Sequence, residues 1–268
     1  MKKIGLFIAS LCMSIIFLTS CMKGSNVWEG PAFGVVNVSS KTFTPIIQST
    51  AGDVYSSTIM TLMEKGDLTF GDCVYIYLNI DFDLPENSPT AIDTYGYQTV
   101  SIQQIALLSK CNLNYYLTDT ATVLPGEVPI LKVYNGGSYV AGHFFIEHSV
   151  NIADDWELTW DMSFDNSSMM PKIEGDKRYY DLYVRARVTK ETDKTSKSDR
   201  PFLNVYNMGS YFTSVANAER AILGSNYNEG SKFTLRFNYP SGINNDTNTI
   251  TWSSNEVEEK VASFQTSD

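Results

Sequence analysis

Apolar and polar residues alternate with a period of two along much of the chain, the signature of strands with one face buried. The clearest case is 73–82, CVYIYLNIDF. Val74, Ile76, Leu78, Ile80 and Phe82 share one face, and Cys73, Tyr75, Tyr77, Asn79 and Asp81 share the other. Residues 156–164 put Trp156, Leu158, Trp160, Met162 and Phe164 inward, with Glu157, Thr159, Asp161 and Ser163 outward. Residues 179–188 put Tyr180, Leu182, Val184, Ala186 and Val188 inward and Asp181, Arg185 and Arg187 outward. Further strands are predicted at 33–38, 43–48, 53–58, 142–150, 203–206, 233–239 and 249–253, and within 95–108. Ser39-Ser40-Lys41 reads as a turn, and Pro45 as an edge or bulge position. Pro85 and Pro89 end the strand at 73–82. The stretch Ser57 to Glu64 suits either a short helix or a strand. Residues 111–140, with the turn Asn135-Gly136-Gly137, read as irregular, 190–200 as a charged loop, and Pro240-Ser241-Gly242 as a turn. Ser214 to Leu223 is the one helical segment. About twelve short strands and one helix make the chain all-β.

The first twenty residues are different. Lys2 and Lys3 precede an apolar run from Ile4 to Leu18 that is too short for a transmembrane helix. This predicts an export signal over 1–20. Leu18-Thr19-Ser20-Cys21 resembles a bacterial lipobox. That resemblance implies that Cys21 carries diacylglycerol and palmitate-type chains that anchor it in a bilayer, with 21–30 as a tether. A plain secretory signal is the alternative.

Composition narrows the function. The chain of 268 residues has 20 Lys+Arg against 30 Asp+Glu, a net charge of -10; the leader holds two of those lysines and no acid, so without it the count is 18 against 30, near -12. Nucleic acid is therefore not an expected partner. A 43% hydrophobic content argues against disorder. The two histidines, His143 and His148, lie five apart and point to opposite faces of a strand; Glu147 shares the face of His143 but lies about 13 Å away along it. Asp81, Asp83 and Glu86, the pair Asp154-Asp155, and Asn244-Asn245-Asp246 lack calcium-loop spacing. No GxSxG, HExxH or phosphate-cradling glycine loop occurs. No catalytic residue, cofactor or metal is expected. Once the leader and Cys21 are set aside, Cys73 and Cys111 remain, either joined in a disulfide or buried separately. Aromatics are many: 16 Tyr, 14 Phe and 4 Trp. Trp156 and Trp160 belong to the core, and Trp28 is expected near the surface. Tyr75, Tyr77, Tyr179 and Tyr183 lie on polar strand faces. Tyr75, Tyr77 and Tyr183, with Arg185, are the candidate recognition surface; Arg185 and Arg187 suit either an anion patch or ion pairs to neighbouring acids.

The segments LTSC at 18–21, FGVVNV at 33–38 and GDCVYIYLNI at 71–80, with Asp72 and Val74 in a GDxV pattern, resemble the NigD-like lipoproteins of the Bacteroidota. The turn Ser39-Ser40-Lys41 departs from that family's pattern. The resemblance implies a small OB-like β-barrel over 31–100 and an immunoglobulin-like β-sandwich over 101–268, with the boundary inside 85–140. It transfers no catalytic residue. Fimbrillin-like lipoproteins are the rival resemblance. Asp119-Thr120-Ala121 resembles a periplasmic O-glycosylation acceptor. The expected role is a non-enzymatic envelope lipoprotein, in the outer membrane and facing either side, that contacts an unidentified protein. A carbohydrate-binding or uptake-accessory module and a pilus subunit are the alternatives.

Overall fold

A computed structural model describes residues 26–134, 137–192, 196–228 and 230–260. The export signal, Cys21 and the turn at Asn135-Gly136 lie outside the described residues.

The chain first builds a small body from β1 (Val27–Val38), β2 (Pro45–Ser49), β3 (Gly52–Tyr55), α1 (Ser57–Glu64), β4 (Cys73–Asp81), α2 (Pro89–Tyr95), β5 (Gln98–Thr99) and β6 (Ser101–Leu108). Its strand order is β5-β3-β2-β1-β4-β6. β5 and β6 are successive pieces of one segment, kinked at the buried Val100, so pairing one piece to β3 and the other to β4 brings the sheet round into a partial barrel. The alternation in β4 does what its pattern predicts: Val74, Ile76, Leu78 and Ile80 fill the interior with Ala32, Val36, Ile47, Val54 and Ile59. Ser56 settles the ambiguous segment as a helix, because its side chain accepts from the amide of Thr58 at the first turn of α1. Pro89 starts α2 instead of only breaking a strand. It occupies the first turn, where a missing N–H costs nothing, behind the capping Ser88. Gly34 lets β1 approach β2 closely, since a Cβ there would lie 2.4 Å from the Gln48 carbonyl.

The expected tether over 21–30 is too long. Val27 to Gly30 already pair with β4 out to Asp81, and the Trp28 ring lies over Gly30. Trp28 is 39% exposed, as its position suggests.

The second body comprises β7 (Lys110–Asn114), β8 (Glu127–Val128), β9 (Ile130–Val133), β10 (Ser138–Val140), β11 (His143–Ala153), β12 (Glu157–Ser163), β13 (Lys172–Glu174), β14 (Lys177–Lys190), β15 (Lys197–Asn207), α3 (Gly209–Leu223), β16 (Lys232–Asn244) and β17 (Thr249–Lys260). These eleven strands form one sheet, whose main path is β10-β11-β15-β7-β12-β14-β16-β17. β7 is the link: it runs parallel to β15 on one side and to β12 on the other. At the opposite seam β9 pairs with β11, and Asn255 of β17 donates to the carbonyl of Val133 at 3.0 Å. The sheet is thus a nearly closed barrel around one core. Phe144, Ile146, Trp160, Met162, Leu182, Val184, Tyr206 and Phe237 fill it, and α3 adds Tyr211, Phe212 and Val215.

Several boundaries differ from the sequence reading. Four strands, β7 to β10, lie in or at the edge of the stretch read as irregular. The charged stretch taken as a loop gives way to β15 at Lys197, because those residues find a register against β11. Pro240-Ser241-Gly242 is a bulge inside β16 and not a turn. α3 begins five residues earlier than the predicted helix.

The two bodies meet through Val35, Cys73, Phe145 and Val205, flanked by Phe33, Leu108, Val140 and Leu203. Cys73, on the polar side of its strand pattern, is buried because the second body docks there.

Candidate functional site

β14 carries an interruption in its ladder. On the side facing β12 and β13, Ser163 ends one strand opposite Tyr183, and Lys172 starts the next opposite Tyr179. Neither strand reaches Tyr180 to Leu182, whose other side is paired with β16. The connecting loop, Phe164 to Pro171, bows outward and leaves a cavity of about 270 Å³ lined by Phe164, Met169, Met170, Tyr179, Tyr183 and Tyr211, among others. Asp165 holds the loop's first turn by accepting from the Ser167 amide at 2.9 Å and its hydroxyl at 2.6 Å.

Polar groups stand at the mouth in fixed positions. Asp181 pairs with Lys172 and takes the Arg236 guanidinium at 2.5 Å, while Arg236 reaches Glu174 at 2.8 Å. Burial works against the Asp181 carboxylate, but hydrogen bonds from Arg236, Lys172 and Asn238 outweigh it and hold the pKa below the usual range. The Arg236 guanidinium also lies 4.5 Å over the Tyr179 ring. Outside this charged collar the rim mixes the polar Asp165 and Ser168 with exposed apolar side chains. Met170 is 57% exposed and Leu117 40%, with Tyr116 at 67% and Ile173 at 66% next to lining residues in sequence. An aromatic cavity with a few fixed polar groups and exposed apolar side chains at its rim is chemistry for holding a ligand.

Of the candidate recognition residues, only Tyr183 belongs here; its ring stands edge-on to Trp252 at 5.5 Å. Tyr75 and Tyr77 lie on β4 in the other body. Tyr75 packs against Phe33, and the Tyr77 phenol bonds to Glu29, which raises its pKa. Arg185 is not on a surface at all. The segment 119–127 folds over the outer face of β14 and buries it. Its guanidinium grips both oxygens of Glu127 at 2.5 and 2.8 Å and donates to the carbonyls of Asp119 and Thr122. Arg187 makes the expected ion pair, with Asp161 at 2.7 Å.

Cys73 and Cys111 are separate free thiols, not a bridge. Burial pushes each up to about 11, and Cys111 donates to Asn204 at 3.5 Å. Both histidines are buried. His143 contacts the Ala141 carbonyl, while His148 bonds Asn204 and lies 5.0 Å from Trp160. Among the described residues, no group of three His, Cys, Asp or Glu is placed to hold a metal. No helix among them is long and apolar enough to cross a membrane. The Asp119-Thr120-Ala121 turn is held by Asp119 accepting from Ala121 and Thr122, and by the Trp252 indole donating to the Thr120 carbonyl at 3.0 Å. Sequence reasoning missed Lys172, Met169 and Met170. Their only signal was an apolar pair, Met169-Met170, in a segment otherwise polar enough for a plain turn.

Residues 24–106 match a family model described as a lipoprotein OB domain, which covers nearly all of the small body. An uncharacterized protein from Parabacteroides merdae shares the fold at a TM-score of 0.72 with 20% identity, over 86% of this chain and 98% of that one. A putative lipoprotein from Bacteroides fragilis has a TM-score of 0.54 and 10% identity, over 90% of this chain and 100% of that one. A NigD-like immunity protein from Bacteroides caccae has a TM-score of 0.40 and 11% identity, over 87% of this chain and 93% of that one, too loose a likeness to carry an inference. No curated protein matches. The chain is thus all-β, with an OB-like partial barrel followed by a nearly closed β-barrel, a fold shared with proteins of the Bacteroidota.

Proposed function

We propose that this is a non-enzymatic lipoprotein of the cell envelope that holds another protein by an extended segment of it. The carrying observation is the break in the β14 ladder over the aromatic cavity. An added strand would take the main-chain groups of Tyr180 to Leu182, which gives affinity, and place one apolar side chain among Tyr179, Tyr183 and Met170, which gives selectivity. In this reading Cys21 bears the acyl anchor in the outer membrane, and the chain is related to the NigD-like lipoproteins. The domain boundary falls at Ser109, between β6 and β7.

Crosslinking on intact cells followed by pull-down of the tagged lipoprotein tests this. A discrete partner is expected, with crosslinks mapping to the 164–172 loop. Met170→Glu and Tyr183→Ala should each cut its recovery by roughly tenfold or more, the loss of one anchor contact. Undiminished recovery with both variants would sink the site. Ladders of the lipoprotein alone would instead favour a pilus subunit.

A further inference from the structure

The outer face of the small body carries a different chemistry from the cavity. The register places Gln48 of β2 directly opposite Asp53 of β3, and Tyr55 lies two residues beyond Asp53 on the same face. Val54 between them points into the core. Tyr55 sits opposite Thr99 of β5, and Tyr97 is two residues before Thr99, so its ring comes to the same face. The Tyr55 and Tyr97 rings are 5.2 Å apart, and the Tyr97 and Tyr95 rings 5.9 Å apart and nearly parallel. Tyr95 is 43% exposed.

This row is built, not incidental. Gly96, with φ 77°, makes the reversal that lets Tyr95 and Tyr97 lie side by side, and the stem of Lys41 packs against it. Ser39 donates to the Tyr95 carbonyl at 3.0 Å, and Lys41 donates to that of Asp93. At the other end Asn37 donates to Gln48 at 2.7 Å, which fixes the Gln48 amide with its own donor free to serve Asp53.

Shingled rings beside an amide and a carboxylate match a sugar chain. The rings take the C–H faces of pyranoses, while the amide and carboxylate take pairs of hydroxyls. A net charge of -10, with Asp53 in the row against the cation of Lys41, packed beside Gly96, disfavours a polyanion. We propose that this face binds a neutral hexose-based glycan laid along Tyr55, Tyr97 and Tyr95, with Asp53 and Gln48 holding its hydroxyl groups. It is independent of the cavity on β14.

Native electrophoresis of the full mature chain through gels containing soluble starch, dextran, mannan or a soluble β-glucan, and through one containing polygalacturonate, tests it. Retardation is expected in at least one neutral gel. Tyr97→Ala and Tyr95→Ala should each weaken it by roughly tenfold, and Asp53→Asn by less. Thermal melts of each variant show that the fold is kept. Three results would overturn the assignment: no retardation in any neutral gel, retardation by polygalacturonate alone, or folded tyrosine variants that migrate like the parent.

Discussion

Replacing Arg185 with methionine is expected to lower stability by about 3–5 kcal/mol, because it strands a buried carboxylate. Glu127 has no exposed side-chain surface, and its two oxygens are held by Arg185 and by the Leu124 amide at 2.8 Å. The same guanidinium carries the carbonyls of Asp119 and Thr122, so the variant also unfastens the segment 119–127 from β14. Removing both charges together, as Arg185→Met with Glu127→Leu, should recover much of the loss, since a well-packed apolar pair avoids the desolvation that an ion pair must offset. Denaturant midpoints for the single and double variants measure this. Equal losses in both would mean that the charge is not what holds the segment.

Acid should destabilise the protein through His148. An imidazole ordinarily titrates near 6.5, but complete burial pushes this one down to about 3. Between those values the unfolded chain takes up a proton that the folded chain refuses. Stability is therefore intact above pH 6.5 and drains away as pH falls towards 3, by about 1.4 kcal/mol per unit once the drop is under way. The full effect is on the order of 5 kcal/mol. His148→Gln cannot take that proton, so its pH dependence between 6.5 and 4 should be shallower than the parent's by about this slope. Parallel curves would show that His148 is not the acid-sensitive group. Asn204, which bonds the ring, is the residue through which a compensating rearrangement would show.

The strands with one wet and one dry face were the legible part of the sequence. Val74 to Ile80 and Trp160 to Phe164 lie where alternation puts them, because a period of two reports directly which side chains a sheet buries. Alternation fails where a second layer covers the outer face. Cys73 and Arg185 both occupy polar-side positions, yet one is sealed by the other body and the other by a loop distant in sequence. Nothing local in the chain marks either event. The long strands β15 and β17 were cut short for a related reason. Lys197 to Arg200 and Glu256 to Lys260 look like solvent, but pairing with a neighbour decides their conformation and composition does not. The cavity was least legible. It depends on where β12 stops and β13 starts, and strand ends are set by partners.

β7 also fixes the order of assembly. It is the first strand made after the small barrel, yet its parallel partners Asp161 to Ser163 and Val205 to Tyr206 are synthesised roughly 50 and 95 residues later. Parallel pairing between β14 and β16 spans a similar distance. The strands of the small barrel find all their ladder partners before residue 109 and can pair as soon as that stretch of chain is free. The rest must wait for its C-terminal strands, with Leu113 and the face meant for Phe145 open to solvent meanwhile. Slow closure of this kind leaves the unfinished second body open to self-association, so loss of the last two strands is a defect of folding before it is a defect of binding.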